Sequence, residues 1–305
     1  MIQIKLAKNS GFCFGVKRAI NLAEQTAKKH GHATTIGPII HNPQMVEHLN
    51  NVGVTVVEDI GLIERGPVII RSHGISKEML ASLQSKCVEI VDATCPYVSK
   101  AHEFAKLAEA GNYKIFILGN AYHPEIIALK SYVSEASLSS DGENISTEGL
   151  ILPLSRVAII CQTTQNIENL KKLVEQLLPI SNELRIFNTI CNATNVRQQS
   201  SLDLAKKCSL MIVIGGKNSS NTKMLANLCS QVATTRHIEI AEEISDEWFK
   251  NLVNPDAIVG LTAGASTPDW IIIDVYNKIK AMVGDTDNLV NSVESIPGYK
   301  EEPNA

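Results

Sequence analysis

Three of the seven cysteines stand where a metal ligand, rather than a packed hydrophobe, is expected. Cys13, Cys95 and Cys191 each follow a strand-like stretch, precede a helical one, and have Gly, Pro or Asn within two residues. Counting 28 residues on from each reaches His41, His123 and Ser219, and a second polar loop then follows in each case: Arg71-Ser72-His73-Gly74, Gln162-Thr163-Thr164-Gln165 and Thr262-Ala263-Gly264-Ala265-Ser266. Equivalent positions in a threefold repeat converge, so three thiolates are expected to share one site. No histidine lies at ligand spacing from them and no CxxC pair occurs. Soft sulfur donors in threes suit a 4Fe-4S cluster better than a closed four-ligand zinc site. With three protein ligands, the fourth iron is open to act as a Lewis acid. Cys87, Cys161, Cys208 and Cys229 sit in apolar or helical patterns and read as small packed hydrophobes.

His41, His73 and His123 each end an apolar run beside Gly, Asn or Pro, a setting for ligand contact; His30, His32, His48, His102 and His237 lack it and read as solvated or packed. Glu125, after His123-Pro124, is placed to donate protons. The hydroxyl-rich loops Gly216 to Thr222 and Thr262 to Pro268 have the composition that holds phosphate at a helix start, although neither is a Walker loop or a GxGxxG turn. A redox cluster, a proton donor and a ring of His, Ser, Thr and Asn together suit reductive bond cleavage in a phosphorylated small molecule.

The elements that must position these residues are alternating short strands and longer helices. Apolar runs at Pro67 to Arg71, Tyr113 to Gly119, Arg156 to Cys161, Leu210 to Gly215 and Ala257 to Leu261 read as buried strands. Val16, Ile20, Ala23 and Ala27 share a helical face, as do Val98, Ala101, Ala105 and Ala108. The fold class is α/β: three small domains with parallel sheets in a pseudo-threefold arrangement around a central iron-sulfur site. Their expected bounds are 1–94, 95–190 and 191–282, followed by a tail at 283–305. The opening strand is expected to pair in the third sheet or the first. Lys and Arg number 28 against 32 Asp and Glu, and six Phe, six Tyr and two Trp give no stacking platform, so nucleic acid is not an expected partner. The absence of an 18-residue apolar run and of a secretory leader disfavours a membrane and points to the cytoplasm.

Ordered along the chain, Gly11-Phe-Cys-Phe-Gly15, Gly37-Pro-Ile-Ile-His41, Ser72-His-Gly74, Asp92-Ala-Thr-Cys-Pro96, His123-Pro-Glu125, Gln162-Thr-Thr164, Asn192-Ala-Thr194 with Arg197-Gln198, Lys217-Asn-Ser-Ser-Asn221 and Ala263-Gly-Ala-Ser266 resemble the 4-hydroxy-3-methylbut-2-enyl diphosphate reductase family over nearly all of residues 1–280. The resemblance implies one 4Fe-4S cluster on Cys13, Cys95 and Cys191, its unique iron taking the substrate hydroxyl. It implies a diphosphate site lined by His41, His73, His123, Ser219, Ser220, Asn221 and Ser266. Thr163 is then near the hydroxyl, Glu125 delivers protons, and a ferredoxin or flavodoxin type partner supplies electrons. The products implied are isopentenyl and dimethylallyl diphosphates. This chain departs from the family's frequent pattern at Asn120, Tyr122 and Ala128 around Glu125, and at Asn9-Ser10 before the first motif. Quinolinate synthase resembles the same three-unit, three-cysteine plan, but it needs no electron source.

Overall fold

A computed structural model describes residues 2–63, 66–86, 89–143, 145, 151–250, 252 and 257–283. Cys87 and the tail from 284 onward lie outside the described residues. In chain order the elements are β1 (Gln3–Leu6), α1 (Phe14–His30), β2 (Ala33–Ile36), α2 (Pro43–Asn51), β3 (Val54–Val57), β4 (Val68–Ile70), α3 (Lys77–Ser85), β5 (Ile90–Asp92), α4 (Pro96–Ala110), β6 (Lys114–Leu118), α5 (Pro124–Lys130), β7 (Ala136–Ser139), β8 (Leu154–Cys161), α6 (Ile167–Leu177), β9 (Ser181–Phe187), α7 (Asn192–Ala205), β10 (Leu210–Ile214), α8 (Ser220–Ser230), β11 (Thr235–Ile238), α9 (Glu247–Lys250), β12 (Ile258–Ala263) and α10 (Asp269–Val283). Among the described residues no helix is long and apolar enough to cross a membrane.

The strands form three four-stranded parallel sheets, ordered β3-β2-β4-β5, β7-β6-β8-β9 and β11-β10-β12-β1. These orders are one pattern repeated. In each, an inner strand (β2, β6, β10) leads to the loop holding the residue 28 positions from a cysteine. The second inner strand (β4, β8, β12) leads to the second polar loop. The outermost strand (β5, β9, β1) leads to the next cysteine. The opening strand therefore completes the third sheet, with Gln3 beside Ile258 and Leu6 beside Leu261. All these loops leave the carboxyl ends of parallel strands, where ligands bind in such sheets.

Most of the inner strands are apolar on both faces, as parallel sheets under helices require, whereas β2 carries Thr34 and Thr35 at its centre. Along β10, Leu210, Ile212 and Ile214 pack on one side with Val275, Tyr276 and Ile279 of α10. Met211 and Val213 point the other way, to Ala205, Leu225 and Cys229. In β6, Ile115 and Ile117 meet α4 through Ala101, Ala105 and Ala108, while Phe116 and Leu118 face Leu170, Leu173 and Leu177 of α6. Helix α1 buries Val16, Ile20, Ala23 and Ala27, the stripe its spacing predicts. Cys161 and Cys229 are fully buried, and desolvation pushes their thiols up to about 12 and about 11, so both behave as packing residues.

Contacts group the chain into two compact units. Of the described residues, one unit contains those up to Cys13, His41–Pro43 and those from Ala193 to Val283, with sheet β11-β10-β12-β1; the other contains those in Phe14–Ile40 and Gln44–Asn192, with the remaining two sheets.

Candidate active site

The three cysteines have one backbone setting in common. The N–H of Cys13 donates to the carbonyl of Ala265, that of Cys95 to Ser72 and that of Cys191 to Thr163, at 3.2, 2.9 and 3.0 Å. Each acceptor belongs to the second polar loop of its sheet, so each thiol is fixed beside the loop that carries Ser266, His73 or Thr163. All three are partly accessible, unlike Cys161 and Cys229, and none of the six described cysteines forms a disulfide. Cys95 also caps α4 without its side chain bonding to that helix, and Pro96 supplies the fixed backbone angle of a first helical residue. Three partly accessible thiols, each beside the second polar loop of its sheet, fit the soft donor set of an iron-sulfur cluster.

The 28-residue positions share a setting too. His123 is the N-cap of α5 and Ser219 the N-cap of α8, while His41 lies two residues before α2. A histidine can cap a helix only through an unprotonated ring nitrogen. Nδ1 of His123 accepts the Glu125 N–H at 3.2 Å, which places the proton of the neutral ring on Nε2. Its ring meets that of His73 edge to face, with centroids 5.2 Å apart. Glu125, in the first turn of α5, is 2% exposed. Its Oε1 accepts the backbone N–H of Thr163 at 2.6 Å and its Oε2 lies 2.9 Å from the Thr163 hydroxyl. Burial raises this carboxyl from 4.5 to about 7, against the lowering effect of the two Thr163 hydrogen bonds. An acid half protonated near neutral pH is suited to proton donation.

The loop before Glu125 closes despite its unusual residues. Asn120 makes an Asx turn, its Oδ1 accepting the Tyr122 N–H, and its own N–H donates to Gln162 Oε1. Tyr122 points outward at 90% exposure, and Ala128 packs inside α5, where alanine suits a helix better than glycine.

In the other unit, Ser266 Oγ donates to the carbonyl of His41 at 3.2 Å, and the backbone of Gly216 lies so near that carbonyl that a Cβ there would reach within 2.8 Å of it. The Gly216 to Asn221 loop is thereby held against His41. Ser219 and Asn221 are 5% and 4% exposed. Both amide atoms of Asn221 are buried without a hydrogen-bond partner among the described residues, a costly state that a polar ligand would relieve. Ser220 begins α8, where backbone N–H groups favour an anion. The predicted site residues thus fall into two local groups: Cys95, Cys191, His73, His123, Glu125 and Thr163 in one unit, and Cys13, His41, Ser219, Ser220, Asn221 and Ser266 in the other.

Two supporting residues carry no sequence signal that assigns their role. Arg197 is 3% exposed and donates from Nη2 to the carbonyl of Gly11 at 2.7 Å, fixing the left-handed turn (φ +81) that precedes Cys13. Thr189 accepts the Cys161 N–H and donates to the Cys161 carbonyl, anchoring the approach to Cys191 on the end of β8.

Thiols in three equivalent settings and a buried acid on parallel α/β sheets are the equipment of an iron-sulfur oxidoreductase. A family model described as LytB protein matches residues 4–280, and the chain belongs to that family. The Geobacter sulfurreducens protein named 4-hydroxy-3-methylbut-2-enyl diphosphate reductase is 45% identical over 282 residues, covering 92% of this chain and 97% of its own. Its namesake from Geobacter metallireducens is 46% identical with the same coverage. A solved structure of (E)-4-hydroxy-3-methyl-but-2-enyl diphosphate reductase, described as the terminal enzyme of the non-mevalonate pathway, matches with TM-score 0.67 and 41% identity over 92% of this chain and all of its own. The Plasmodium falciparum E-1-hydroxy-2-methyl-but-2-enyl-4-diphosphate reductase matches with TM-score 0.83 and 25% identity over 98% of this chain and 95% of its own. The chain is an enzyme of the oxidoreductase class, and its family is one of iron-sulfur enzymes.

Proposed function

We propose that this enzyme reduces (E)-4-hydroxy-3-methylbut-2-enyl diphosphate to isopentenyl and dimethylallyl diphosphates. Two electrons and two protons enter, the allylic carbon–oxygen bond breaks, a carbon–hydrogen bond forms, and water leaves. The observation that carries this reading is Glu125: a fully buried carboxyl at about 7, hydrogen-bonded to Thr163, on the loop after His123. Cys13, Cys95 and Cys191 would hold one 4Fe-4S cluster per chain, which supplies electrons and, with three protein ligands for four irons, a Lewis-acidic iron.

The chain's own residues do the rest. Hydroxide leaves poorly, and Glu125 holds the proton that converts it to water. The Thr163 hydroxyl, bonded to Glu125 Oε2, orients that carboxyl and offers the substrate hydroxyl a partner. His123 presents Nε2–H, and with His41, His73, Ser219, Ser220, Asn221 and Ser266 it would bind the diphosphate. Asn221 supports this assignment because its amide is buried with no protein partner among the described residues. A ferredoxin or flavodoxin type protein would deliver the electrons. The test is anaerobic turnover of the substrate with reduced methyl viologen, products identified by mass spectrometry. Both isoprenoid diphosphates should form only when reductant is present; no product from a preparation carrying the cluster contradicts the reading.

A further inference from the structure

Strand β4 ends at Ile70, and Arg71 leaves the sheet on the loop that continues into Ser72, His73 and Gly74. Its guanidinium folds back over backbone instead of reaching into solvent. Nε donates to the carbonyl of Gly74 at 3.4 Å, and Nη1 lies so close to Gly37 that a Cβ there would collide with it. Gly37 (φ +67) follows β2 and opens the loop to His41; Gly74 (φ +73) follows His73. One planar cation therefore rests between two glycine turns at the carboxyl end of its sheet, where a parallel sheet presents ligands.

This cation has no counter-ion among the described residues. The charge acting on it is Glu58, which is exposed and makes no ion pair with it. The Nη groups make no hydrogen bond among the described residues, and burial draws the guanidinium below its usual pKa. A partly desolvated cation held by one long hydrogen bond is unfavourable unless an anion completes its surroundings. A guanidinium offers phosphate oxygens several N–H donors in a rigid plane.

We infer that Arg71 is a further binding residue for the diphosphate, a fixed cation on the His73 loop whose counter-ion is the anionic end of the substrate. The inference rests on the function proposed above. The test uses anaerobically purified holoenzyme as wild type, Arg71→Met and Arg71→Lys. The measurements are KM for the substrate and the inhibition constant of inorganic diphosphate at low and high salt, with thermal melting as a check on folding. Arg71→Met should raise both constants by about tenfold or more, the scale of one charge-assisted hydrogen-bonding group, and should flatten their salt dependence. Arg71→Lys should keep most of the salt dependence. If wild type binds diphosphate and Arg71→Met binds it equally well, or binds it more weakly with unchanged salt dependence, the inference falls while the proposed function stands. If wild type binds neither diphosphate nor substrate, the proposed function falls and takes the inference with it.

Discussion

Replacing Glu125 by Gln tests the acid while preserving its shape and contacts. A Gln carbonyl can still accept the Thr163 N–H that Oε1 accepts at 2.6 Å, and its amide can donate to the Thr163 hydroxyl in place of Oε2. What disappears is the titrating proton. Burial moves this carboxyl from 4.5 to about 7, and at about 1.4 kcal/mol per pH unit that is roughly 3 kcal/mol in favour of the protonated form. Because the folded value lies above the unfolded one, that stability is fully present below about pH 4.5 and is lost as pH rises through about 7. Two consequences follow. With reduced methyl viologen as donor, wild-type kcat should fall on the alkaline side with an apparent pKa near 7, and Glu125→Gln should lower kcat by about a hundredfold or more and remove that limb. In denaturant unfolding, the decline in stability between pH 4.5 and 8 should shrink by roughly 3 kcal/mol in the variant. Full activity with an unchanged pH profile would refute the assignment of Glu125 as the acid.

Thr163→Val removes the hydroxyl at Glu125 Oε2, one of the two hydrogen bonds that hold the carboxyl down; the alkaline limb of kcat should move above its wild-type position, and a shift to lower pH would contradict the reading. Asn221→Leu replaces a buried amide lacking a protein partner among the described residues with an apolar side chain of similar size. The ligand-free variant should melt no lower than wild type while its affinity for inorganic diphosphate drops about tenfold or more, and undiminished affinity in calorimetry would remove Asn221 from the site. Gly37→Ala puts a Cβ into the Arg71 guanidinium at a backbone angle of φ +67; it should cost more than about 1 kcal/mol in chemical denaturation, and neutrality would refute the close packing of these two groups.

Five inner strands were readable because they are short apolar runs, and β2, with Thr34 and Thr35 at its centre, was not; a 28-residue step spans one helix and one strand in every repeat. That step found His41, His123 and Ser219, and the last two prove to be helix N-caps. Other features depend on groups far apart in sequence. The pairing of Gln3 with Ile258 decides that the opening strand completes the third sheet, and no local pattern encodes it. Arg197 stands in a motif of the family resemblance, but what it does, holding the Gly11 carbonyl with its guanidinium, depends on a residue 186 positions away. Asn120, an unusual residue before the acid, gains its meaning from an Asx turn and a bond to Gln162, 42 positions away. The want of a protein partner at Asn221, and of a counter-ion at Arg71, among the described residues is a property of three-dimensional surroundings that residue types alone do not carry.

Whether three cysteines hold one cluster is decided by iron and acid-labile sulfide per chain, measured on anaerobically purified protein beside Cys13→Ser, Cys95→Ser and Cys191→Ser. Wild type should carry about four of each, each of the three substitutions should lose the cluster, and Cys161→Ser should keep it. Zinc in place of iron, or a cluster that survives replacement of any one of the three cysteines, would contradict the three-cysteine site.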